Sequence, residues 1–184
     1  MKHTQYIVLI YSLLWIVSAC KQTGVTPDIQ TSKSINIFPD YTGVTFPSNI
    51  APPNFRIMEK GEEYYTEIGN QNQIYTRLRS KQPSVVIPQK KWKELLNDTT
   101  GNMFYIRICI QQDNKWIQYP DIINNISKSP IDPYLAYRLI YPGYELWNQM
   151  GIYQRNLSTY EESPIIENKS VEKGCINCHT FCKN

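Results

Sequence analysis

Met103-Phe104-Tyr105-Ile106-Arg107-Ile108-Cys109-Ile110-Gln111 alternates apolar and polar residues with hardly a break. Period-two alternation puts Phe104, Ile106, Ile108 and Ile110 on one face and Tyr105, Arg107 and Cys109 on the other, as in a half-buried strand. Cys109 on such a strand reads as a small buried side chain, not a reactive one. Asp113-Asn114 is a hairpin signal, and residues 116–119 return as a second strand.

Outward from this hairpin the same signals recur. Residues 55–58, 64–68, 74–79, 85–87, 134–140 and 152–157 read as short strands, with Gly61, Gly69-Asn70 and Pro142-Gly143 at bends. In the third of these, Ile74, Thr76 and Leu78 are expected on one face and Tyr75, Arg77 and Arg79 on the other. Residues 89–97 form the one helical pattern, with Trp92, Leu95 and Leu96 on a shared face and Lys90, Lys91, Lys93 and Glu94 outside. Tyr144 to Asn148 fits a single helical turn. Many short strands with one inserted helix predict a mainly β fold, an antiparallel β-sandwich-like domain over residues 35–157. No repeat of 20 to 50 residues is visible in the chain.

The flanks differ in composition. Residues 35–53 are crowded with prolines, which forbid a helix and leave an extended segment wrapped over the sheet. Residues 20–34 are polar and lack apolar periodicity, the composition of a flexible tether. Residues 1–19 combine Lys2 with an apolar run too short for a permanent span, and end Val17-Ser18-Ala19 before Cys20. This reads as a signal peptide, and the cysteine after small residues resembles a bacterial lipobox, with Cys20 as the lipidated first residue. A plain cysteine after a cleaved leader is the alternative. Lys21 in the next position favours the outer membrane, so the expected location is the bacterial cell envelope, with the membrane as partner through the lipid anchor.

Removing 19 of 184 residues leaves 165, about one domain's worth, and lowers the formal charge from +3 to +2. That balance, with no basic run, gives no reason to expect nucleic acid as a partner. Fourteen tyrosines and four tryptophans against eight glycines suit an aromatic-packed β body and argue against disorder.

Residues 158–184 read as a surface connector that carries Cys175-Ile176-Asn177-Cys178-His179 outward. Cys-x-x-Cys-His is the attachment signature of haem c: two thiols form thioethers to the porphyrin and the adjacent imidazole ligates iron. Cys175 and Cys178 are thus the expected attachment points and His179 the iron ligand. His179 is the sole histidine after residue 19, so a sixth ligand is sought among Met58, Met103, Met150, a lysine, water or a partner's residue. Trp147, Tyr153, Tyr160 and Ile165-Ile166 could wall the ring. With Cys182 the same stretch also holds three thiols and an imidazole, the ligand types of a structural zinc site, though four ligands within eight residues are cramped. A Cys175–Cys178 disulfide is a third state of the pair.

Phe38-Pro39-Asp40-Tyr41, Ile50-Ala51-Pro52-Pro53-Asn54-Phe55, Tyr137-Arg138-Leu139-Ile140-Tyr141-Pro142-Gly143-Tyr144-Glu145-Leu146-Trp147 and Gly174-Cys175-Ile176-Asn177-Cys178-His179 occur together. In combination they resemble the N-terminal region of exported bacterial lipoproteins of the TolB-like and cytochrome c families. The resemblance implies a β-rich N-terminal domain, then the Cys-x-x-Cys-His segment, then a long β-propeller of PD40-type repeats, whose repeats this sequence lacks.

Catalysis is not expected. A single histidine after the leader and no Gly-x-Ser-x-Gly leave no nucleophilic triad. Glu62-Glu63 and Glu161-Glu162 are sequence neighbours, which strands point to opposite faces. The function expected is electron transfer by a membrane-anchored c-type cytochrome-like protein with a redox or envelope partner. The alternative is a cofactor-free envelope scaffold or interaction module. The Tyr/Arg faces formed by Tyr75, Arg77, Arg79, Tyr105 and Arg107 are expected to be exposed and open to docking. The sequons at Asn97, Asn125, Asn156 and Asn168 read as coincidences of an Asn-rich chain.

Overall fold

The computed structural model describes residues 24–170 and Ile176. Its centre is the strand predicted first, β8 (Met103–Gln112), which pairs along its length with β5 (Glu63–Gly69) and beyond that with β6 (Ile74–Ser80). The other edge of β8 is shared. Its second half pairs with β9 (Lys115–Gln118) and its first half with β10 (Ile122–Ile126), all antiparallel. Asp113 and Asn114 both have positive φ, 50° and 58°, the backbone a tight hairpin turn demands and the reason these residue types occupy it. Two short strands complete the sheet in parallel pairing: β1 (Ile29–Gln30) beside β9 and β3 (Thr45–Phe46) beside β10.

Alternation along β8 makes the sheet two-sided as expected. Phe104, Ile106, Ile108 and Ile110 are all at most 1% exposed and join one hydrophobic core. That core is closed by a second, three-stranded sheet of β2 (Ile37–Phe38), β4 (Phe55–Ile57) and β7 (Ser84–Val85), which contributes Ile37, Phe55, Ile57 and Val85. The helix α1 (Gln89–Thr99) adds Trp92, Leu95 and Leu96. Trp92 packs edge-on to both Phe46 and Phe104 while its indole N–H donates to the Ile50 carbonyl at 2.8 Å, so the ring is buried with its polar atom satisfied. Two layers, sheet against sheet and helix, give the sandwich-like arrangement that the strand pattern predicts. The proline-rich residues 35–53 wrap over it, with Ile35, Phe46 and Ala51 buried.

A third sheet joins β11 (Tyr134–Leu139), β12 (Gly151–Asn156) and β13 (Glu162–Glu167). It is tied to the body by a backbone bond from Ala51 N to the Leu157 carbonyl at 2.7 Å, while Leu157 N to the Pro133 carbonyl at 2.8 Å extends the β11–β12 ladder by one rung. Between β11 and β12, Pro142–Tyr144 and Trp147–Gln149 are two short 3-10 turns in place of the single helical turn expected. Gly143, inside the first turn, and Leu146, between the two, both have positive φ.

Several expectations need correction. β13 lies inside residues read as a surface connector: its polar composition hid a strand that pairs with β12 through its backbone. β10 was missed because Asn124 and Asn125 interrupt its apolar run, yet Asn124 is fully buried and accepts the Val44 amide at 2.9 Å. Residues 24–31 lie within the expected flexible tether, but Asp28 and Thr31 donate backbone bonds to the carbonyls of Trp116 and Gln118 at 2.8 and 3.0 Å, flanking β1. Tyr75 is 7% exposed, and Ile74 is the exposed neighbour. A register shift at Ile68/Gly69 displaces this end of the hairpin. The Tyr75 hydroxyl then reaches the Asp98 carboxylate at the end of α1, 3.1 Å away.

Candidate functional site

Cys20, Cys175, Cys178, His179 and Cys182 lie outside the described residues. The structure does describe Ile176, inside the Cys-x-x-Cys-His motif, and shows what holds it. The Ile176 backbone N–H donates to Asn168 Oδ1 at 3.0 Å. Asn168 is itself fully buried, donating from Nδ2 to the Trp147 carbonyl at 3.0 Å and from its backbone N to the Met150 carbonyl at 2.8 Å. One residue therefore joins the motif and the 3-10 turn at Trp147 through its side-chain amide, and the start of β12 through its backbone N–H. With both ends of its amide engaged, Asn168 has no room for a glycan despite its sequon.

The surroundings of Asn168 are mixed in character. Glu167 accepts from the Tyr153 hydroxyl at 2.7 Å and pairs with Lys169 at 2.6 Å, and these two donors hold its carboxyl below the usual range. Burial, with the Glu167 carboxylate beside it, pushes the Tyr153 hydroxyl up to about 12. Among the methionines named as sixth-ligand candidates, Met58, just after β4, and Met103, on β8, are 57% and 50% exposed. Met150 is fully buried, and its backbone meets Asn168. Trp147 and Tyr153 are gathered beside Asn168, Trp147 through its carbonyl and Tyr153 through Glu167 and the Gln149 carbonyl. Ile165 and Ile166 stay exposed on β13, and the Tyr160 hydroxyl is committed to the Pro52 carbonyl.

A second cluster stands on the face of the large sheet that turns away from α1. Glu67 on β5 is 5% exposed and accepts from four donors: Tyr65 Oη and Arg77 Nε at 3.0 Å, Tyr105 Oη at 3.1 Å and Arg107 at 3.4 Å. Burial alone would raise its carboxyl; Arg77, Tyr65 and Tyr105 more than offset this and hold it below the ordinary value. Arg107 is also forked onto Asp121 at 3.0 and 2.8 Å. Arg79 is forked onto Glu63 at 2.9 and 2.7 Å, with its guanidinium over the Trp116 ring. The Tyr/Arg face expected to be open is therefore largely paired to its own carboxylates. Glu67 was missed because one carboxylate in a strand looks solvated; its cross-strand neighbours Arg77 and Arg107 emerge only from the pairing register. Cys109, on the same face, is 1% exposed, and burial pushes its thiol up to about 11, which suppresses thiolate chemistry.

A polar cleft between the Asn70 turn and the Gly101 turn is lined by amides and one carboxylate, Asp98. Asn70 Nδ2 there is shared between Thr99 Oγ1 at 2.9 Å and Tyr75 Oη at 3.0 Å. Among the described residues no set of three His, Cys, Asp or Glu side chains is grouped to hold a metal ion. Nor is any described helix long and apolar enough to cross a membrane.

The class defined by these observations is a mainly β protein of three sheets and one helix, neither barrel nor propeller in its described part. Comparisons with family models, curated proteins and solved structures find no match for the chain.

Proposed function

We propose that this chain is an exported, lipid-anchored β protein that carries one c-type haem on its carboxyl-terminal segment and passes electrons to an envelope partner. The observation that carries the reading is Cys175-Ile176-Asn177-Cys178-His179, whose two thiols and following imidazole fit haem c in type and order. The anchor of Ile176 on Asn168 supports it, since a prosthetic group held by this segment would be fixed relative to the β body. Cys175 and Cys178 would hold the porphyrin and His179 the iron, and the group would supply one-electron chemistry. This chain's own residues orient the segment: Asn168 fixes its start, and the Tyr153–Glu167–Lys169 network stiffens the base on which Asn168 stands. The lipid anchor is carried by Val17-Ser18-Ala19-Cys20, and with it the placement at the bacterial envelope.

The test is production alongside periplasmic haem-ligation machinery, denaturing electrophoresis with haem staining, and a reduced-minus-oxidised visible spectrum. A covalently stained band that disappears in Cys178→Ser is the expected result. A folded, unstained protein whose Cys175 and Cys178 are free, zinc-bound or joined to each other overturns the redox reading and leaves an anchored interaction module.

A further inference from the structure

From the path of residues 24–31 we infer that the face of the large sheet carrying Glu67, Arg77 and Arg107 lies against a lipid surface, the body being held there on a short leash. The inference rests on the reading of Cys20 as the acylated residue. Residues 20–34 would span several tens of ångströms if they were a free tether. They are not free beyond position 23. A Cβ placed on Gly24 would stand 3.6 Å from Tyr65 Oη and 3.9 Å from Arg77 Nε, directly on the Glu67 cluster. Asp28 is locked to Trp116 in both directions, donating from its backbone N to the carbonyl at 2.8 Å and accepting the Trp116 amide on Oδ2 at 2.7 Å. β1 then continues beside β9.

Four Cα steps separate Cys20 from Gly24, a reach of about 14 Å at full extension. Acyl chains on Cys20 would seat that residue at the membrane interface, so Gly24 and the side chains beneath it cannot stand farther off than this. The surface so presented suits an interface. Arg77, Arg79 and Arg107 keep 35, 47 and 36% of their side chains exposed, and Met103 and Ile123, on the same face of β8 and β10, are 50 and 47% exposed. The arginines are paired to Glu63, Glu67 and Asp121, so what the face offers is long amphipathic side chains beside exposed apolar ones, a mixture that matches the headgroup boundary. The helix α1 lies on the opposite side of the sheet, a sheet-to-helix layer farther from the bilayer.

The experiment installs photoreactive benzoylphenylalanine at Thr26 or at Lys93, both exposed positions. Full-length acylated protein carrying each is reconstituted in phosphatidylcholine–phosphatidylglycerol vesicles, and lipid adducts are counted by mass spectrometry. At least tenfold more adduct at position 26 than at 93 is expected, with the ratio collapsing toward one when about 20 Gly/Ser residues are inserted after Lys21. Equal adducts at both positions without the insert overturn the orientation. The same pair is run on a chain whose hexahistidine tag ends at position 20, captured on nickel-chelating vesicles. Asymmetry absent there overturns the orientation alone, whereas an unmodified Cys20 by mass spectrometry overturns the anchor and the membrane contact together.

Discussion

Glu67 concentrates the electrostatics of the fold in one side chain. Two hydroxyls and two guanidinium groups donate to a carboxylate that burial alone would neutralise, so the ionised form persists only while those donors are in place. Because its folded value lies below its unfolded one, ionised Glu67 contributes stability above the ordinary carboxylate value of 4.5. That contribution is lost as pH falls below 4.5 and through the lower folded value. Glu67→Gln, which keeps the shape but removes the charge facing Arg77 and Arg107, is expected to cost about 3 kcal/mol at pH 7 and to flatten the acid limb of stability. Urea unfolding at pH 7 and at pH 3 measures both; an unchanged acid limb in the variant would refute the assignment. Asn168 is the corresponding residue at the other end of the molecule, uncharged and joining three segments through its side-chain amide and its backbone N–H. Asn168→Ala is expected to accelerate amide exchange at Ile176 about tenfold, as the loss of roughly 1.4 kcal/mol of hydrogen bonding at one amide implies.

At the scale of elements, the third sheet depends on a close backbone approach. A Cβ on Gly151 would sit 2.1 Å from the Ile166 carbonyl oxygen and 2.8 Å from the Glu167 Cα, so only glycine lets β12 and β13 meet there. The Gly151→Ala variant should lose about 2 kcal/mol, read as a lowered urea midpoint and as faster exchange across β12, because the obstructing atoms are backbone and cannot rotate away. The large sheet is secured differently, by the alternation of β8 and by side chains from β2, β4, β7 and α1 on its inner face. Its central strand has β5 along one edge and β9 and β10 dividing the other, and its outward polar residues Tyr105 and Arg107 are bonded to Glu67 and Asp121.

For the whole molecule, the N-terminal segment is the feature that changes the reading most. Residues 24–31 are part of the fold's surface, not a spacer: Gly24 stands against Tyr65 and Arg77 of the Glu67 face, and residues 28–31 extend the sheet edge beside β9, whose Gln118 pairs with Cys109. Deleting residues 21–31 is expected to lower the urea midpoint and to make Cys109 modifiable by thiol reagents in the folded state, as peptide mapping of the labelled protein would reveal. A deletion that leaves Cys109 as protected as in the full chain would mean that the segment covers nothing. The opposite end is tied in by Asn168, so both flanks of the β body are anchored to it by named hydrogen bonds.

Alternating residues from Phe104 to Ile110 determined the central strand and its buried face, and Trp92, Leu95 and Leu96 the helix and its inner side, because burial periodicity is written directly into residue order. The Cys175–His179 motif and the Cys20 leader signal were equally local, and they define the chemistry proposed for the chain. Tertiary structure alone decided that residues 29–30 and 162–167 are strands, that Tyr75 is covered, and that Glu67 is surrounded by donors. Those outcomes depend on backbone pairing and on cross-strand neighbours tens of residues apart. Short polar segments carry no periodicity of their own, and a carboxylate acquires its partners only once strand register is fixed.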